Sequence, residues 1–269
     1  MRLAILGGDK RQHILCNLLE NEGYTVAKVP SYNNEIVIGP IPCSKDGVTL
    51  FQETTDTPIA IEELFRKMNE NGCRLFIAGA IKENVREMAE ENSIEAIDLM
   101  DLDEVAIMNA VPTAEGAIAA AMENSDITLC GSRCLVLGYG RCGKILAHML
   151  KGMGAIVSVE ARSAVDEAFI KCLGLDFVAL DTLKSRLNEF DFIFNSVPTM
   201  LLDRSALQYL NPNCLVIDIA SVPGGADFIA AKEMGIQALN LPGLPGKVAP
   251  KSAALILKDA IIKLLIQRG

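Results

Sequence analysis

A chain of 269 residues, half of them hydrophobic, with 21 glycines and only 5% aromatics, has the balance of an α/β enzyme whose parallel strands are buried on both faces. Its length suits two domains of ordinary size, each with its own core, and argues against a single small module. A formal net charge of −9 argues against nucleic acid as a partner, while leaving room for an anionic substrate held by a few focused cations.

The first hundred residues alternate short apolar runs with helical patterns. Leu3 to Leu6 reads as a buried strand and Gly7-Gly8 as a tight turn; Ile14, Leu15, Leu18 and Leu19 then share one helical face, with Gly23 as the stop. Further strands are expected over 24–29, 35–38, 74–78 and 94–97, and helices over 59–71 and 82–92. Strands separated by helices imply a parallel sheet. From Asp103 the pattern turns helical, is expected to break at Asn109-Ala110-Val111-Pro112-Thr113, and to restart over 114–122 as a bridge between domains. A second series of strands follows over 134–137, 155–160, 177–179, 191–195, 215–219 and 236–240, ending in the loop "LPGLPGKVAP". The last helix, 251–267, is strongly apolar and is expected to cross back to the first domain.

The chemistry concentrates in the second series. Gly138-Tyr139-Gly140-Arg141-Cys142-Gly143 follows an apolar strand and opens an amphipathic helix, the context in which G-x-G-x-x-G binds a dinucleotide pyrophosphate. The next strand should end near Ala161, where an NAD enzyme places an acid for the ribose. Glu160 falls one residue early, on the opposite face by strand alternation, and Arg162 and Ser163 occupy the space a 2′-phosphate needs. NADP is therefore expected, with NAD still possible if Glu160 swings round. Asn195, Val197 and Pro198 after one strand, and Ser221 after the next, are expected beside the nicotinamide half. The predicted plan is α/β with two doubly wound parallel-sheet domains, a flavodoxin-like N-terminal domain and a Rossmann NAD(P)-binding domain, joined by long crossing helices. Residues 1–110, completed by 251–269, form the substrate side, and 111–250 the dinucleotide-binding domain.

On the substrate side Asp9 and Arg11 follow the first strand, Arg11 offering a planar fork for a carboxylate. Ser44 and Lys45 in "GPIPCSKDG", Lys247 in "LPGLPGKVAP" and Thr113 on the bridge complete a candidate grip for a small dicarboxylate. Acid-base work would fall to Glu115, Lys45, His13 or Asp9, which the sequence does not rank. The eight cysteines form no Cys-x-x-Cys pair and have no nearby histidine, so reduced thiols and no metal are expected. With no charged and apolar leader pattern and no apolar run of membrane-spanning length, a soluble intracellular protein is expected.

Taken together, "GGDKRQ", "GPIPCSKDG", "NAVPTAEGAI", "GYGRCGKILAHMLKGMGA" followed by "ARS", and "LPGLPGKVAPKSAA" resemble the dipicolinate synthase A-subunit family over nearly the whole chain. The two-domain plan also looks like that of 2-hydroxyacid dehydrogenases and adenosylhomocysteinase. The resemblance implies NAD(P)-dependent oxidation of a dihydrodipicolinate-level precursor to pyridine-2,6-dicarboxylate in the cytoplasm of a sporulating mother cell. Its implied partner is the flavoprotein-like B subunit of dipicolinate synthase, in a homo- or hetero-oligomer. Two alternatives stay open: a dehydratase or lyase step on a hydroxylated tetrahydro ring, and a non-catalytic nucleotide-binding protein that positions the flavoprotein.

Overall fold

The computed structural model describes residues 2–28, 32, 36–54 and 57–268, so position 29 of the strand expected over 24–29 and position 35 of that expected over 35–38 lie outside the described residues. Along the chain come β1 (Arg2–Ile5), α1 (Lys10–Asn21), β2 (Thr25–Ala27), β3 (Ile36–Ile38), α2 (Ile61–Glu70), β4 (Leu75–Ala78), α3 (Glu83–Glu91) and β5 (Glu95–Asp98). Helix α4 (Asp103–Glu123) is followed by β6 (Arg133–Leu137), α5 (Arg141–Gly152), β7 (Ile156–Glu160), α6 (Ala164–Cys172) and β8 (Asp176–Val178). Next are α7 (Leu183–Arg186), β9 (Phe192–Asn195), α8 (Arg204–Leu207), β10 (Leu215–Asp218), α9 (Phe228–Glu233) and β11 (Gln237–Asn240). Two helices end the chain, α10 (Leu244–Val248) and α11 (Pro250–Arg268).

Two compact units result, one of residues 1–109 with 249–269 and one of residues 110–248. In the first, the all-parallel sheet has the order β2-β1-β3-β4-β5, the flavodoxin-like winding. One face packs on α2 and α3 through Leu64, Phe65, Met68 and Val85, and the other on α1 and α11 through Leu15, Leu19, Leu257 and Ile261. Helix α2 shows the cause plainly. Ile61, Leu64, Phe65 and Met68 recur at three- and four-residue spacing and are all buried, with Glu62 and Glu63 at the positive end and Lys67 at the negative end of its dipole.

In the second unit the parallel sheet runs β11-β10-β9-β6-β7-β8, the Rossmann order. Cys134, Val136, Val157 and Val159 face Ala117, Leu146 and Leu150, while Leu135, Leu137, Ile193 and Val216 face Leu183, Leu207 and Ala230. Both faces are covered, which is why these strands read as nearly unbroken apolar runs.

Three expectations need correction. Residues 109–113 do not break the bridging helix: α4 runs through Pro112, so Thr113 and Glu115 lie in a helix interior and not at a new N-terminus. Proline removes one backbone hydrogen bond, but Ala110, Ala114, Ala117 and Ala121 around it are fully buried good helix formers, and their packing outweighs that loss. By length and composition α4 could also cross a membrane; this too differs from the sequence expectation, and more than half of its apolar window is buried inside the protein. The "LPGLPGKVAP" loop, in turn, contains α10. Gly116 lets that short helix approach α4 closely, since a Cβ there would stand 3.1 Å from Leu244 and Val248 side chains.

Candidate functional site

At the carboxyl edge of the second unit's sheet, β6 turns into α5. Gly138 takes φ +89°, left-handed backbone that suits glycine, and a Cβ on it would stand 2.5 Å from Val197 Cγ2. A Cβ on Gly143 would come within 2.0 Å of the Gly138 carbonyl oxygen, so any side chain would push α5 off the strand. Gly140 between them is different. It is the N-cap of α5 with an ordinary φ of −75°, and nothing lies within 4 Å of where its Cβ would be. Open space at the uncapped, positive end of a helix is what an approaching phosphate needs. These residues fit a dinucleotide pyrophosphate. Arg141 is exposed and Tyr139 buried under Lys144, whose Nζ stands 5.1 Å from the ring centre and 3.4 Å from Asp166. Cys142 is half-buried, and burial outweighs the Arg141 charge to push its thiol up, so it is no thiolate nucleophile.

Glu160 ends β7 opposite Leu137 of β6, on the face of the sheet that carries α7 to α9, while Ala161 joins Val157 and Val159 on the other. Glu160 is only 1% exposed and its Oε1 has no hydrogen-bond partner. Burial pushes its carboxyl above the ordinary glutamate range, against the pull of the Arg162 charge and the Gly138 N–H. Arg162 is exposed. Ser163 caps α6, accepting from the Asp166 N–H at 3.0 Å and donating to its carboxylate at 3.1 Å.

Asn195, expected beside the cofactor, is instead fully buried, and its side chain is spent within the protein. Its Nδ2 donates to Asp218 Oδ1 at 2.9 Å and to the Val197 carbonyl at 3.0 Å, and its Oδ1 accepts from the Val197 N–H. Asp218, also fully buried, accepts from the N–H groups of Ala220 and Gly225. The pair therefore braces the loops after β9 and β10 from behind, leaving Pro198 and Ser221 exposed and Val197 against Gly138.

In the first unit the start of α1 is tied to the segment after β3. Arg11 is 4% exposed; its Nε and Nη2 clasp the Asp9 carboxylate at 2.7 to 3.1 Å, and Nη2 also donates to the Ile41 carbonyl. Asp9 caps α1 through the Arg11 N–H. Burial would raise the Asp9 carboxyl, but hydrogen bonds and charge from Arg11 outweigh it and hold the group below the ordinary aspartate range. The fork expected for a substrate carboxylate is thus occupied by an internal one. Ser44 is likewise engaged, donating to Asp46 and accepting from the Gly47 N–H, both at 2.8 Å. Lys45 and His13 are exposed, with the Lys45 ammonium 4.3 Å above the Phe51 ring and His13 Nδ1 3.4 Å from the Asp9 carbonyl. In the second unit Glu115 and Lys247 are exposed on α4 and α10, Lys247 donating to the Pro242 carbonyl at 3.0 Å.

The N-terminal half of this arrangement has a named counterpart: residues 27–100 match the family described as the N-terminal domain of the dipicolinate synthase A subunit. The whole chain is 32% identical to the dipicolinate synthase A subunit of Bacillus subtilis (strain 168), with 99% of this chain and 96% of that protein covered. The chain belongs to the dipicolinate synthase A-subunit family. The crystal structure of the dipicolinate synthase A subunit from Bacillus halodurans superposes with a TM-score of 0.90 at 29% identity, covering 98% of this chain and 97% of that one. The D-lactate dehydrogenase of Escherichia coli shares the fold at 15% identity and a TM-score of 0.63, covering 100% and 97%.

Sequence reasoning about this dipicolinate synthase homologue overlooked Asp218, although a lone acid inside the apolar run "LVIDIA" was a visible signal. It also passed over Gln12, which is 3% exposed, donates to the Gly39 carbonyl at 3.3 Å, and has an unpartnered Oε1. The Arg11–Asp9 pairing changes one expectation outright. Removing Arg11 would strand a mostly buried carboxylate, so Arg11→Ala is expected to destabilise the protein by about 3 kcal/mol in urea unfolding. The deficit should shrink as acid protonates Asp9, because the ion pair contributes stability only above the depressed Asp9 range. A variant unfolding at the wild-type urea concentration would show that the guanidinium is free after all.

Proposed function

We propose that this chain catalyses the nicotinamide-dependent oxidation of a dihydrodipicolinate-type precursor to pyridine-2,6-dicarboxylate, with NADP as the preferred acceptor. The observation that carries the reading is the Gly138–Gly143 turn, where Gly140 opens the N-terminus of α5 at the carboxyl edge of a Rossmann-ordered sheet. Family membership supplies the substrate class, since the relatives are dipicolinate synthase subunits. A bound dinucleotide supplies the hydride acceptor at the nicotinamide ring.

The chain's own residues orient and exclude. The glycine turn holds the pyrophosphate, Arg141 and Arg162 offer exposed positive charge to phosphates, and Val197, Pro198 and Ser221 line the nicotinamide side. Lys45 on the first unit and Lys247 on the second are exposed cations of the kind that take a substrate carboxylate, and Thr113 is assigned to substrate binding. Asp9, Arg11 and Ser44 support the substrate side through their internal bonds. A dinucleotide held at the glycine turn would take the hydride from one ring carbon, and Glu115 or His13, both exposed, would accept the proton lost from the neighbouring carbon as the ring becomes aromatic. By the same resemblance the chain works in the cytoplasm with a flavoprotein-like B subunit.

The test is absorbance-monitored formation of NADPH from freshly generated dihydrodipicolinate, with this chain alone and then with the B subunit. Reduction by the chain alone, stoichiometric with dipicolinate, is the expected result. Dipicolinate appearing without any nucleotide reduction, in both arms, would overturn it.

A further inference from the structure

Helix α11 carries apolar side chains on both of its sides. Ala254, Leu257, Ile261 and Leu265 are buried in the core of the first unit with Leu15 and Leu19 of α1. Leu255, Ile262 and Ile266 lie on the other side, where Leu255 is exposed, Ile262 half-buried and Ile266 72% exposed. Their spacing of seven and then four residues sets them in one stripe along the helix. Beside them a groove of about 340 Å³ opens between α11 and α4, lined by Leu102, Val105, Met108, Ile256 and Leu264. A helix that is hydrophobic all round belongs in an interior, yet the described residues of this unit leave one side of α11 uncovered.

The charges on the same face say what covers it. Asp259 and Lys263 are both exposed, stand one helical turn apart beside the apolar stripe, and border the groove. The pattern is the same from either end of the helix, with its centre near residue 261. Leu255 and Ile266 stand six and five residues out from that centre, Asp259 and Lys263 two residues out on either side, and Ile262 next to it. Laid antiparallel against itself, the helix brings Leu255 onto the partner's Ile266, Ile262 onto the partner's Ile262, and each Asp259 onto a Lys263. It also sets opposed helix dipoles side by side. A parallel two-fold would instead face each charge with its own kind. An apolar stripe alone fits many partners, but a face that matches itself in apolar and charged positions alike fits a second copy of this chain. We propose that α11 is the centre of a two-fold dimer interface, antiparallel to α11 of a second copy, with two reciprocal Asp259–Lys263 ion pairs beside an apolar seam of Leu255, Ile262 and Ile266. Lys263 bonds Glu104 of α4 at 2.8 Å, so in the dimer its ammonium is shared between that carboxylate and the partner's Asp259.

Sedimentation velocity of the full chain over a dilution series reads the dimer dissociation constant. Ile266, Asp259 and Lys263 are exposed, so substitutions there leave each copy folded, which circular dichroism checks. Ile266→Glu, which buries a charge against the partner's Leu255, is expected to raise the constant about 100-fold. Asp259→Lys sets two like-charge pairs across the seam and should raise it about tenfold or more. Asp259→Lys combined with Lys263→Asp should return it to within about threefold of wild type, because the exchanged charges meet again. The control is Phe169→Glu, on the other exposed apolar stripe of Val165, Phe169 and Leu173 along α6, which should leave the dimer unchanged. A wild type that is monomeric at every concentration overturns the inference, and so does a dimer that ignores Ile266→Glu but is lost in Phe169→Glu. A double exchange that fails to recover what Asp259→Lys loses overturns the antiparallel pairing. Loss of B-subunit binding in Ile266→Glu, with a monomeric wild type, would give this face to a different partner and overturn the dimer as well.

Discussion

Gly140→Asp is expected to abolish dinucleotide binding while leaving the fold intact. The two outcomes separate because Gly140 does a different job from the glycines on either side of it. Gly138 has φ +89° and sits against Val197, and Gly143 would collide with the Gly138 carbonyl, so substitutions at either damage the turn itself. Gly140 has ordinary backbone angles, is exposed, and has nothing within 4 Å of a new Cβ. Aspartate is also among the best N-cap residues, so helix α5 loses nothing and the melting temperature should hold or rise slightly. The added carboxylate stands where the pyrophosphate would approach the backbone, repels it, and takes for itself the N–H groups the phosphate would use. Affinity for NAD and NADP should both fall by about 100-fold or more, roughly 3 kcal/mol, in a calorimetric titration. Retained binding would mean that the nucleotide does not pass over this turn.

The glycine turn after β6 was readable in the sequence, because its conformation is specified locally. Three glycines at fixed spacing between an apolar run and an amphipathic helix report a backbone conformation, and backbone conformation is what sequence encodes most directly. The parallel sheets followed from strands alternating with helices. Residues whose meaning depends on distant partners were harder to read. Arg11 looked like a free carboxylate fork, yet its partner Asp9 is two residues away and the Ile41 carbonyl thirty, and only folding shows that both are engaged. Pro112 looked like a break because local propensity weighs proline heavily, whereas the buried alanines on either side of it decide the outcome through packing. Asn195 was placed at the cofactor for its position at a strand end, but its side chain points into the brace with Asp218.

That brace is where the largest loss of stability is expected. Asp218 is completely buried and gathers three donors, Asn195 Nδ2 at 2.9 Å and the N–H groups of Ala220 and Gly225 at 2.9 and 2.8 Å. Asp218→Ala leaves all three without an acceptor in a place water does not reach, and each orphaned donor costs about 1–3 kcal/mol. Asn195 can keep its bond to the Val197 carbonyl, and the loop of Ala220 to Gly225 can relax outward, so the sum is not reached; about 4 kcal/mol by urea unfolding is the expected loss. Asp218→Asn should fall between, since one acceptor oxygen survives while the new amide N–H groups face the existing donors. Relaxation of the two loops would also loosen Val197 against Gly138, so the aspartate-to-alanine variant that still folds at low temperature should bind dinucleotide more weakly than wild type. Wild-type stability in Asp218→Ala would show that the donors find other acceptors, and the loops after β9 and β10 would then be held by something other than this carboxylate.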